Sequence, residues 1–69
     1  MRVLLNSTNL SEVLYHPSTR TMELYFHSGH IYRYIGIPAS IFQDLISAPS
    51  AGKFYNQHIR GQYSSLRWL

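Results

Sequence analysis

The chain has 69 residues, 45% of them hydrophobic and 13% charged, with a net charge of +3 and no cysteine. That length means one domain with a thin core, and the apolar content is too high for a disordered chain. The absence of cysteine excludes disulfides, cysteine-based zinc sites and cysteine nucleophiles, and no apolar run reaches the length of a membrane span.

Met1-Arg2-Val3-Leu4-Leu5-Asn6 is too short for a signal peptide, and the reading is of a soluble cytoplasmic protein. From Leu10 to His16 apolar and polar residues alternate, with Val13 and Tyr15 on one side, which predicts a strand. Pro17-Ser18-Thr19-Arg20 is a turn. A second strand is expected over residues 21–27 and a third over residues 30–35.

Between these two strands, Ser28-Gly29 reads as a two-residue hairpin loop. That loop pairs His27 with His30, Phe26 with Ile31, Tyr25 with Tyr32, Leu24 with Arg33 and Glu23 with Tyr34. One sheet face then carries Met22, Leu24, Phe26, Ile31, Arg33 and Ile35 and is the natural core face. The other carries Glu23, Tyr25, His27, His30, Tyr32 and Tyr34, an aromatic and imidazole surface.

Pro38 suits the first turn of a helix, and Ile41, Phe42, Leu45 and Ile46 follow at helical spacing. Ala48-Pro49 ends that helix, because a residue before proline avoids the helical region. Ser50 is a good N-cap for a second helix running to Arg60 or Tyr63. Gly52 in its first turn weakens the helix and points to a close backbone contact. Ser64 to Leu69 forms a tail whose Leu66, Trp68 and Leu69 would dock on the core or on a partner. The fold class is α+β: a three-stranded antiparallel sheet followed by two helices packed on one face.

The segment from Ala48 to Tyr63 carries the most chemistry. On one continuous helix, Lys53, Asn56, Arg60 and Tyr63 share a side. A cation, an amide, a guanidinium and a phenol together suit a phosphate-bearing or nucleotide ligand. The bases Lys53, Arg60 and Arg67 all lie beyond the last acid, Asp44, so this end of the chain is locally basic. The same spacing also describes an ordinary solvated helix face.

The pattern resembles the KTSC family, known from a C-terminal segment of some lysyl-tRNA synthetases and from small stand-alone bacterial and phage proteins. The matching residues are Ser7, Leu10, Tyr15, Leu24, Phe26, Gly29, Tyr32, Tyr34 and Pro38, then Ala48, Ser50, Gly52, Asn56, Ile59 and Tyr63. Leu14-Tyr15-His16 stands where the family usually has a Gly-Tyr-Asp-like step. The synthetase association implies RNA binding.

Other chemistries find less support. His27 and His30 would face each other across the hairpin, but no third metal ligand has a place. Glu12, Glu23 and Asp44 come from three different elements, so no carboxylate pair forms. Ser50 followed by Lys53 is explained by capping, and Gly52-Lys53 lacks the rest of a phosphate-binding loop. The expectation is therefore a non-catalytic, cofactor-free binder of single-stranded RNA or a small signalling nucleotide. In a phage, such a protein would act as a sponge for a nucleotide immune signal. The expected ligand-binding set is Ser50, Lys53, Asn56, Arg60, Tyr63, Tyr34, Tyr32 and Arg33. The alternative is a protein-interaction or homo-oligomerisation module using the tyrosine face and the Trp68 tail.

Overall fold

The computed structural model describes residues 1–69. Its elements in chain order are strands β1 (Arg2–Leu4), β2 (Leu10–His16), β3 (Thr21–Phe26) and β4 (Ile31–Ile35), helices α1 (Ala39–Ser47) and α2 (Ala51–His58), and strand β5 (Ser65–Arg67). The five strands form one antiparallel sheet in the order β1-β2-β3-β4-β5. The α+β class stands, but the sheet has five strands rather than three. Both extra strands are three residues long, too short to show a period. Each is held as an edge strand by pairing with a long neighbour.

The expected register of the central hairpin is off by one residue. Phe26 N–H donates to the His30 carbonyl at 2.9 Å, so the loop is His27-Ser28-Gly29. Gly29 N–H donates back to the Phe26 carbonyl at 2.9 Å, and Gly29 sits at φ 96. This is a three-residue hairpin whose third residue needs positive φ, which glycine adopts without a Cβ penalty. Leu24 therefore opposes Tyr32, Glu23 opposes Arg33 and Met22 opposes Tyr34. Because side chains alternate, that one-residue slip moves all of β4 to the other face. Tyr32 and Tyr34 lie on the helix side with Met22, Leu24 and Phe26, whereas Ile31, Arg33 and Ile35 point away. Ile31 is thus not beneath the helices, and Ile35 is 49% exposed.

In β2, a bulge between Leu10 and Glu12 lets Leu10 and Val13 both face the core despite their odd spacing. The Ser11 hydroxyl at the bulge donates to the Tyr25 carbonyl at 3.0 Å. Phe42 and Leu45 of α1 and Ala51 and Tyr55 of α2 close over this sheet face, joined by Ile59 just beyond α2. The rings of Tyr15 and Phe42 stack at 4.6 Å, and the Tyr15 hydroxyl donates to the Ile37 carbonyl at 2.7 Å. Burying an aromatic while satisfying its hydroxyl is an economical use of a thin core. No helix is long and apolar enough to cross a membrane.

A two-lobed groove as the candidate functional site

Two clefts lie side by side along α2 and share Asn9 and Asn56 in their linings. The first lobe, about 440 Å³, lies between the Asn6-Ser7-Thr8-Asn9 loop and the start of α2, and no hydrophobic residue lines it. Ser50, Gly52, Lys53 and Asn56 form its helical wall. The second lobe, about 500 Å³, is lined by the rings of Phe26, Tyr32, Tyr34 and Tyr55 together with His30, Asn56 and Arg60.

Local sequence explains the first lobe. Ser50 caps α2 in extended geometry, its hydroxyl accepting from Lys53 N–H at 3.2 Å. The Ser7 hydroxyl accepts from Asn9 N–H at 3.1 Å and from Leu10 N–H at 3.2 Å, which holds the loop in a tight side-chain-to-backbone turn. His27 pins the same loop from the hairpin. Its Nε2 lies 2.9 Å from the Ser7 carbonyl, and because a carbonyl only accepts, Nε2 carries the proton. His27 and His30 consequently do not face one another as a pair: His30 Nδ1 lies 3.4 Å from the Leu69 carbonyl instead.

Gly52 faces Ser7 across this lobe. A Cβ at Gly52 would sit 3.5 Å from Ser7 Oγ, an ordinary contact, so crowding does not demand glycine here. The expected close approach is a side-chain contact and not a backbone one.

The second lobe rests on packed aromatics. Phe26 meets Tyr32 and Tyr55 edge-to-face, each at 5.6 Å. The Tyr34 and Tyr55 hydroxyls share a hydrogen bond of 2.6 Å. Burial above all, then this bond, holds the Tyr34 phenol well above the ordinary tyrosine range. Neither lobe contains a carboxylate. Lys53 and Arg60 form no ion pair: Glu12 and Glu23 are engaged on the other sheet face by Arg2 and Arg33, and Asp44 on α1 lines neither lobe. The groove therefore offers cations, amides, hydroxyls and rings, with nothing to repel an anion.

The sequence-predicted residues divide clearly. Ser50, Lys53 and Asn56 meet in the first lobe; Asn56, Arg60, Tyr32 and Tyr34 meet in the second. The shared helical side is not what unites them, because α2 ends at His58 and Arg60 and Tyr63 lie beyond it. Arg60 N–H donates to the Tyr55 carbonyl at 2.9 Å as the chain turns, and this bend keeps Arg60 at the groove. Tyr63 packs against the core and lines neither lobe. Tyr34 is 2% exposed, so it floors the lobe without offering a face for stacking; the half-buried Tyr32 offers one. Arg33 is on the opposite sheet face, 3.0 Å from Glu23 and 4.4 Å over the Trp68 ring.

A protein-family model described as the KTSC domain matches residues 6–63. The chain belongs to the KTSC family. Its fold is similar to the crystal structure of a KTSC domain protein from Yersinia pestis, with a TM-score of 0.92 at 28% identity over 100% of this chain and 97% of that one. It is 37% identical over 62 residues to an uncharacterized protein of Stutzerimonas stutzeri, covering 90% of this chain and 87% of that protein. It is 41% identical over 49 residues to a lysine–tRNA ligase of Nostoc sp., covering 71% of this chain but only 9% of the ligase. A lysine–tRNA ligase of Nostoc punctiforme is 35% identical over 54 residues, which is 10% of its length. The chain thus corresponds to a small part of those enzymes.

The KTSC match begins at Asn6, where the loop of the first lobe begins. Sequence reasoning assigned that loop no role. Its signal is four consecutive polar residues, Asn6-Ser7-Thr8-Asn9, between two apolar segments. Tyr55 was equally invisible as a site residue, because a tyrosine on an apolar helix stripe reads as core.

Proposed function

We propose that this KTSC domain binds a phosphate-bearing, nucleotide-type ligand in the two-lobed groove and does not transform it. The observation that carries the reading is the placement of Lys53 and Arg60, without acidic partners, along a groove free of carboxylates whose second lobe is floored by aromatic rings. Arginine grips phosphate oxygens in a fork, lysine adds a point charge, and an accessible ring stacks on a base. The likeness of this chain to segments of lysine–tRNA ligases supports an RNA form of the ligand. Single-stranded RNA and a small signalling nucleotide share this chemistry. In a phage, tight binding alone would make the protein a sponge for such a signal.

A second reading has its own observation. On the face opposite the groove, Trp68 is 58% exposed beside exposed Leu66 and Leu69, and Ile35 is exposed at the far end of β4. A contact surface for oligomerisation would draw on these residues and Tyr25, not on the tyrosines of β4.

Titration calorimetry with single-stranded RNAs and nucleotides, on wild type and Arg60→Ala, tests the first reading. Arg60→Ala should weaken binding roughly ten- to a hundredfold, the worth of one charge-assisted contact. Failure of every nucleotide to bind would leave the contact-surface reading ahead.

A further inference from the structure

We infer that the groove is built for a dinucleotide-sized ligand with two phosphate groups, one in each lobe; this rests on the nucleotide reading above. Three observations carry it. Each lobe, at about 440 and 500 Å³, is large enough for a drug-sized ligand by itself. Each has one fixed cation without an acidic partner, Lys53 in the first and Arg60 in the second. Asn9 and Asn56 line both lobes, so their amides offer donors and acceptors to a ligand that occupies the two together.

The two lobes differ in kind. The first is wholly polar and suits a phosphate and sugar with hydroxyl and amide donors around them. The second has the half-buried Tyr32 ring and the Arg60 guanidinium in one lining, a place for a base and the phosphate next to it. One cation per lobe also caps the useful ligand charge. A third phosphate meets no further lysine or arginine in the groove, so lengthening a strand adds little.

The experiment measures binding by calorimetry for three four-base mixtures: 5′-mononucleotides, 5′-phosphorylated dinucleotides and 5′-phosphorylated octanucleotides. The dinucleotides should bind at least tenfold tighter than the mononucleotides. The octanucleotides should gain no more than the several-fold expected from having several registers. The salt dependence for the dinucleotides should have a slope of about −1.4, the single-strand value for two phosphates. Lys53→Ala and Arg60→Ala should each cost the dinucleotides ten- to a hundredfold, with unchanged melting temperatures since both side chains are exposed.

Mononucleotides binding as tightly as dinucleotides would overturn the two-lobe inference and keep the nucleotide site. Affinity rising tenfold or more from dinucleotide to octanucleotide would overturn it in favour of a strand track. Absence of binding in all three mixtures would overturn both the inference and the functional reading beneath it.

Discussion

The hydroxyls of Tyr34 on β4 and Tyr55 on α2 lie 2.6 Å apart where the core meets the floor of the groove. Their rings meet edge-to-face at 6.0 Å. This pair ties the sheet to α2. Removing one hydroxyl leaves the other buried without its partner, at a cost of about 1–3 kcal/mol, whereas removing both is nearly neutral. Tyr34→Phe and Tyr55→Phe should each lower stability by that amount, and the double variant by less than their sum. A double-mutant cycle by urea denaturation measures the coupling, and strict additivity would show that the bond is inert.

Stability should fall at alkaline pH. Tyr34 and Tyr25 both have phenols raised above the ordinary value of 10.0, each chiefly through burial, with the Tyr55 bond adding at Tyr34 and the Glu23 charge adding at Tyr25. The folded state keeps protons that the unfolded state releases above that value. Stability is therefore full below about pH 10 and is lost as pH rises above it, by up to about 1.4 kcal/mol per pH unit for each proton. Thermal melts at rising pH should show this decline, and it should be shallower in Tyr34→Phe.

Two glycines should respond in opposite ways. At Gly29, φ 96 strains any side chain although the space around it is open. Gly29→Ala should cost about 1–2 kcal/mol. At Gly52 a methyl meets only Ser7 Oγ at contact distance, and the helix gains about 0.5–1 kcal/mol. Gly52→Ala should raise the melting temperature by a few degrees. A fall would mean that the loop–helix seam is tighter than this distance implies.

The two sheet faces should separate stability from binding. Glu23 is 5% exposed and held by Arg33 at 3.0 Å on the face away from the groove. Arg33→Ala strips that carboxylate of its nearest cation and should cost about 1–3 kcal/mol while leaving nucleotide affinity unchanged. Arg60→Ala should do the reverse. Chemical denaturation and calorimetry on both variants check this, and a binding defect in Arg33→Ala would mean that the ligand uses the other face.

What the sequence by itself determined was local. The alternation over Leu10–His16 made β2, Pro38 and the apolar spacing after it made α1, Ala48-Pro49 stopped α1, and Ser50 capped α2 as expected. The cluster Ser50, Lys53, Asn56 and Arg60 was also legible, because its chemistry is contiguous in the chain. Only the tertiary structure decided the rest. Two-residue and three-residue loops differ by one hydrogen bond, Phe26 N–H to His30, and Ser28-Gly29 fits both. With a side-chain period of two, that single bond turned Tyr32 and Tyr34 toward α2 and sent Arg33 to Glu23 and Trp68 on the far face. The strands β1 and β5, and the Asn6–Asn9 wall of the groove, depend on partners distant in the chain, and three residues carry no periodic signal of such pairing.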